Sequence, residues 1–98
     1  MQMIMLVYNE TLESELQGFM AAQGVQKYTE LVEAHGHGAA GGTHQGTPVF
    51  PSRNRVRYMA VADDAAAAFL DALRAFREQW RAEGVQAFVW PCHSLTEP

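Results

Sequence analysis

The chain has 98 residues, 48% hydrophobic and 18% charged, with 7 basic residues against 11 acidic ones. That length suits one domain and lets about 60–70% of the unfolded surface be buried, so a core needs no metal or disulfide staple. A net charge of −4 excludes a sequence-independent nucleic-acid binder, whose affinity comes from Lys and Arg neutralising phosphates. The single cysteine, Cys92, excludes an intramolecular disulfide and fits a reducing compartment. The apolar opening over residues 1–8 has no basic flank or cleavage site and is too short for a leader or a membrane span. A cytoplasmic protein without membrane insertion is expected.

Met3 to Tyr8 is a continuous apolar run, which predicts a strand buried on both faces and central in its sheet. Asn9 or Thr11 can cap the following helix, where Leu12, Leu16, Phe19 and Met20 form one apolar stripe. Gly24 supplies the left-handed residue that ends it. Val25 to Ala34 reads as a second strand, with Tyr28, Thr29, Leu31 and Val32 as its β-formers.

From His35 to Asn54 the character changes. This stretch holds Gly36, Gly38, Gly41, Gly42 and Gly46, two prolines and three of the four histidines, and no periodicity survives across it. It is expected to be a long functional loop. Arg55 to Val61 is the third strand, and alternation sends Arg55, Arg57 and Met59 to one face and Val56, Tyr58 and Ala60 to the other. Asp63 and Asp64 are expected to cap a second helix reaching about Glu83, with Phe69, Leu70, Leu73, Phe76 and Trp80 on its buried side. Gly84 closes that helix, Val85 to Trp90 is a fourth strand, and Pro91 stops it.

The order βαββαβ predicts a ferredoxin-like α+β fold, in which a four-stranded antiparallel sheet carries both helices on one face. The apolar side chains from Met3 to Val7 then leave a surplus for the other face. A surplus of that kind calls for a partner, most economically copies of the same chain.

With the elements placed, the segment Gly24-Val25-Gln26-Lys27-Tyr28-Thr29 resembles the helix-to-strand turn of PII signalling proteins. The glycine-rich stretch over residues 35–54 stands where that family has its T-loop. Asp63-Asp64 before the second helix, and Gln86-Ala87-Phe88-Val89-Trp90-Pro91, are similar to the close of such chains. Gly42-Thr43-His44-Gln45-Gly46-Thr47 with Phe50-Pro51 and Asn54 looks more like a divergent PII-like branch than a nitrogen regulator. The resemblance implies a homotrimer with ligand clefts between subunits. It further implies an adenine nucleotide, sometimes with a small carboxylate or bicarbonate, and a loop that docks on a transporter, enzyme or regulator. It implies no catalysis. The positions matching a nucleotide site are Thr29, Gly36 and Gly38, with Arg81 beside them. The segment Arg81-Ala82-Glu83-Gly84-Val85-Gln86 departs from the family's basic, glycine-rich loop by having one glycine and no lysine.

Two constellations carry chemistry of their own. Arg53, Arg55 and Arg57 project to one side of an extended segment. They could receive a phosphate or carboxylate bidentately, or pair with Glu30 and Glu33 on the adjacent strand. His35, His37 and His44 could hold zinc or copper, with Cys92 and His93 as further donors, or be solvated loop residues. The second constellation opens an alternative function in metal homeostasis, as in the copper-associated CutA proteins, which are ferredoxin-like trimers. A third reading, a small ferredoxin-like enzyme of monooxygenase type, needs an internal pocket at the sheet face. Cys92 has only His93 beside it as a base, and adjacency on an extended segment turns that ring away. The sequence holds no Walker loop, dinucleotide fingerprint or serine triad order.

Overall fold

The computed structural model describes residues 1–35 and 53–96. The chain runs through β1 (Gln2–Asn9), a short 3-10 turn (Glu10–Leu12), α1 (Glu13–Ala22), β2 (Thr29–His35), β3 (Arg53–Val61), α2 (Asp63–Gln79) and β4 (Val85–Pro91). The strands form one sheet in the order β2-β3-β1-β4 with every neighbouring pair antiparallel. This is the ferredoxin-like arrangement, with both helices on one face.

The expected central position of β1 holds, but its burial differs from the two-sided reading. Ile4, Leu6 and Tyr8 are buried beneath the helices, while Met3, Met5 and Val7 on the opposite face are only half-covered. Leu12, Leu16 and Met20 press onto the first set from the α1 side, and Ala66, Phe69, Leu73 and Phe76 from α2. Phe19 links the two helices, with its ring 5.5 Å from Phe69 and 4.8 Å from Phe76. Such tilted aromatic pairs add to the area they bury.

Asn9 Oδ1 accepts the Thr11 amide at 2.9 Å, so the anticipated cap sits on the 3-10 turn. Gly24 takes φ 76°. Its N–H donates to Ala21 O at 3.1 Å and the Val25 N–H to Met20 O at 3.0 Å, which is a Schellman closure. That closure occupies Val25, so β2 starts at Thr29 rather than Val25. Its register with β3 is irregular between Leu31 and Ala34. β3 begins at Arg53, two residues before the expected Arg55.

The start of α2 also differs from expectation. Ala62 holds the cap position without a side-chain bond, and Asp63 and Asp64 lie in the first turn, where their charge favours the helix dipole. Trp80 leaves helical geometry at φ −119°, so α2 ends at Gln79 and not near Glu83. β4 continues through Pro91, which pairs with Gln2; an edge strand tolerates the missing donor. No helix among the described residues is long and apolar enough to cross a membrane.

Candidate functional site

Alternation on β3 places Arg55 and Arg57 on the helix side of the sheet, beside Tyr8 of β1 and Glu30 of β2. Arg57 is 0% exposed, and every arm of its guanidinium is engaged. Nη2 donates to Glu13 Oε2 at 2.7 Å and to Gln17 Oε1 at 3.0 Å, Nε donates to Glu30 Oε1 at 3.2 Å, and Nη1 meets Met20 Sδ at 3.0 Å. The cation also lies 4.3 Å from the Tyr28 ring centroid and 5.4 Å from that of Tyr8, within cation–π range. Tyr8 Oη is 2.5 Å from Glu13 Oε1 and 2.6 Å from Glu30 Oε1. Arg55 Nη1 joins Glu13 Oε1 at 3.1 Å. Two cations and two carboxylates therefore close into one neutral cluster that ties α1, β1, β2 and β3 together.

The cluster sets its own protonation. Burial pushes the Tyr8 phenol far up, and its bonds to Glu13 and Glu30 push it further, so it stays protonated. Burial also works against the Glu30 carboxylate, but the Tyr8 hydroxyl and then Arg57 outweigh it and hold that carboxyl below its ordinary value. Glu30 is the ion-pair partner anticipated for the arginines. The finding that sequence reasoning missed is that the Arg57 side faces the core. That leaves Arg57 no exposed surface in the protomer. The signal for it was Glu13 and Gln17, polar residues flanking the buried stripe of α1.

Arg55 stands where β2 and β3 lead into residues 36–52, half-buried, with its Nε lacking a hydrogen-bond partner among the described residues. The turn after α2 that carries Arg81 lies at the same sheet end, because Tyr8 pairs with both Arg55 and Val85. Arg81 itself is exposed and 3.5 Å from Glu78. Thr29 is exposed on the other sheet face, opposite Tyr58. The structure thus brings Arg55 and the Arg81 turn to one end, holds Arg57 at mid-strand on the helix side, and leaves Thr29 on the opposite face. Gly36, Gly38, His37 and His44 lie outside the described residues.

Among the metal candidates, His35 pairs with Arg53 at this same end. Cys92 is bonded to Met1 at the opposite end, with His93 next to it. One protomer therefore does not bring His35 to Cys92 and His93. No group of three or more His, Cys, Asp or Glu side chains that could hold an ion occurs among the described residues.

A cavity of about 430 Å³ opens at the end away from Arg55. It lies between residues 23–27, Ala60 and Val61 of β3, and Ala65, Ala68 and Phe69 of α2. Its walls are shallow because α2 presents alanines there, and Lys27 supplies the one cation of its lining. The sequence motif that carried the family resemblance thus forms one wall of this cavity.

The architecture defines a ferredoxin-like α+β protein with one sheet face partly exposed among the described residues. Solved structures similar to it include PII-like proteins. The structure of CPII, a nitrogen regulatory PII-like protein from Thiomonas intermedia K12 bound to ADP, AMP and bicarbonate, superposes with TM-score 0.67 at 15% identity, covering 91% of this chain and 86% of that one. A PII-like signalling protein from Thermus thermophilus gives TM-score 0.63 at 21% identity, covering 91% and 82%. The apo form of CPII gives TM-score 0.66 at 15% identity over 91% and 85%. The chain has the fold of PII-like proteins. No protein-family model and no curated protein sequence matches it.

Proposed function

We propose that the chain is a divergent PII-like sensor, a homotrimer that takes an adenine nucleotide, with or without bicarbonate, in the cleft between subunits. The segment over residues 35–54 then engages a transporter, enzyme or regulator. The observation that carries this reading is the match to CPII, a protein solved with ADP, AMP and bicarbonate, over 91% of the chain. Two features of the protomer support it. The half-exposed face of Leu31, Phe88 and Trp90 suits packing against further copies. The two candidate ligand regions, the cavity beside Lys27 and the donors around Arg55 and Arg81, lie at opposite ends of the sheet. Eight strand residues separate those ends by about 26 Å, so one small ligand touches both only where two copies meet.

In this reading Arg55, whose Nε has no hydrogen-bond partner among the described residues, donates to a ligand oxygen, and Arg57 acts as the fixed post behind it. The protein signals through residues 35–54 and performs no catalysis. Isothermal titration with ADP, AMP, ATP and bicarbonate tests this. Saturable heat with at least one nucleotide, lost in Arg55→Ala, is expected. Absence of heat with all of them would remove the nucleotide reading.

A further inference from the structure

Three methionines in the opening Met1-Gln2-Met3-Ile4-Met5 are spaced by two residues, so all fall on one face of β1. This is the open face, and each is only half-covered. The Cys92 N–H donates to Met1 O at 3.0 Å, which extends the β1–β4 ladder by one step beyond Gln2 and Pro91. In that register Cys92 stands opposite Met1 on the same face, and Trp90 stands opposite Met3. The end of β1 is itself held: the Met1 amino group lies 2.8 Å from Asp63 Oδ1, and Gln2 Nε2 donates to the same oxygen at 3.1 Å. Cys92 is a free thiol, and its exposure is intermediate.

We infer that Met1, Met3 and Cys92 form a Cu(I) site at the rim of the open sheet face. Directly opposed residues have Cβ atoms about 5 Å apart and diagonal ones about 7 Å apart. Met1–Cys92 is the direct pair and Met3–Cys92 the diagonal one. The unbranched thioether side chain has three rotatable bonds and bends to close gaps of this size. Two thioethers and a thiolate make a soft donor set, which selects Cu(I) over the zinc or Cu(II) that histidines take. Trp90, opposite Met3, stands on the same face beside this donor set. Binding displaces the Cys92 proton, so affinity falls as pH is lowered. This set shares only Cys92 with the donors considered from the sequence, and it does not rest on the nucleotide reading.

The test is anaerobic competition for Cu(I) against bicinchoninate, read from the absorbance of the indicator complex. One Cu(I) per chain is expected. Met3→Leu preserves volume and apolar character, so it separates metal binding from sheet-face packing; sedimentation and circular dichroism on the same samples establish that fold and assembly are intact. Met3→Leu and Cys92→Ser should each weaken binding at least tenfold. No Cu(I) withdrawn from the indicator would overturn the site, as would a Met3→Leu/Cys92→Ser double variant binding like wild type.

Discussion

Arg57 shows how a single side chain acquires a role that its neighbours in sequence do not share. A fully buried guanidinium is stable only because Glu13, Glu30, Gln17 and two aromatic rings surround it. Breaking such a pair from one side leaves charge buried without a partner and costs about 3–5 kcal/mol, a large share of the roughly 5–15 kcal/mol that holds a domain together. Arg57→Met should lose that amount in urea unfolding at neutral pH. The pH dependence carries the sign. Because the folded Glu30 carboxyl is held below its ordinary value, its stabilisation is present above the unfolded carboxylate value of about 4.3 and is lost as pH falls through the folded one. Wild type should therefore weaken in that acid window. Arg57→Met, lacking one of the groups that favour the carboxylate, should weaken less there. The alternation of β3 placed Arg53, Arg55 and Arg57 on one side from sequence alone. Which side the helices cover was not legible, because apolar residues of β1 point both ways.

At the level of elements, local chemistry was legible and boundaries were not. The stripe of Leu12, Leu16 and Met20, the closing Gly24 and the buried face of α2 appear where the sequence puts them. β2 starts four residues later than the expected Val25, since Val25 is held in the closure of α1 by Met20 O. α2 caps through Ala62 although two aspartates follow it. The Gly24 closure is testable. At φ 76° an L side chain meets left-handed strain, worth roughly 1–2 kcal/mol, although no atom stands within 4 Å of an added Cβ. Gly24→Ala should lower the unfolding free energy by about that amount, and a loss near zero in chemical denaturation would mean the turn re-forms another way. The candidate ligand cavity, by contrast, was hidden from sequence because it joins residues 23–27 to the start of α2, far apart in the chain.

For the whole molecule, the uncovered sheet face matters most. Leu31, Phe88 and Trp90 are 50%, 52% and 42% exposed, on the same face as Met3, Met5 and Tyr58. The surplus of apolar residues was legible, because both helices can cover only one side. In the proposed function that face holds the assembly together. Phe88→Asp/Trp90→Asp should shift the sedimentation coefficient to that of a monomer. Leu95→Asp, at a fully exposed position, should leave it unchanged; monomers from wild type would refute the reading.

The irregular register of β2 has a further consequence. Leu31 opposes Val56 and Ala34 opposes Asn54, so three steps on one strand match two on the other. Side chains on a strand alternate, and one extra residue reverses the phase of everything beyond it. His35 therefore aligns with Arg53 on the helix side, whereas an unbroken strand would have turned it to the other face of the sheet. The bulge acts as a half-turn in the chain, deciding on which side of the sheet His35 stands. Deleting Val32 would undo that half-turn and send the same histidine out over the opposite face.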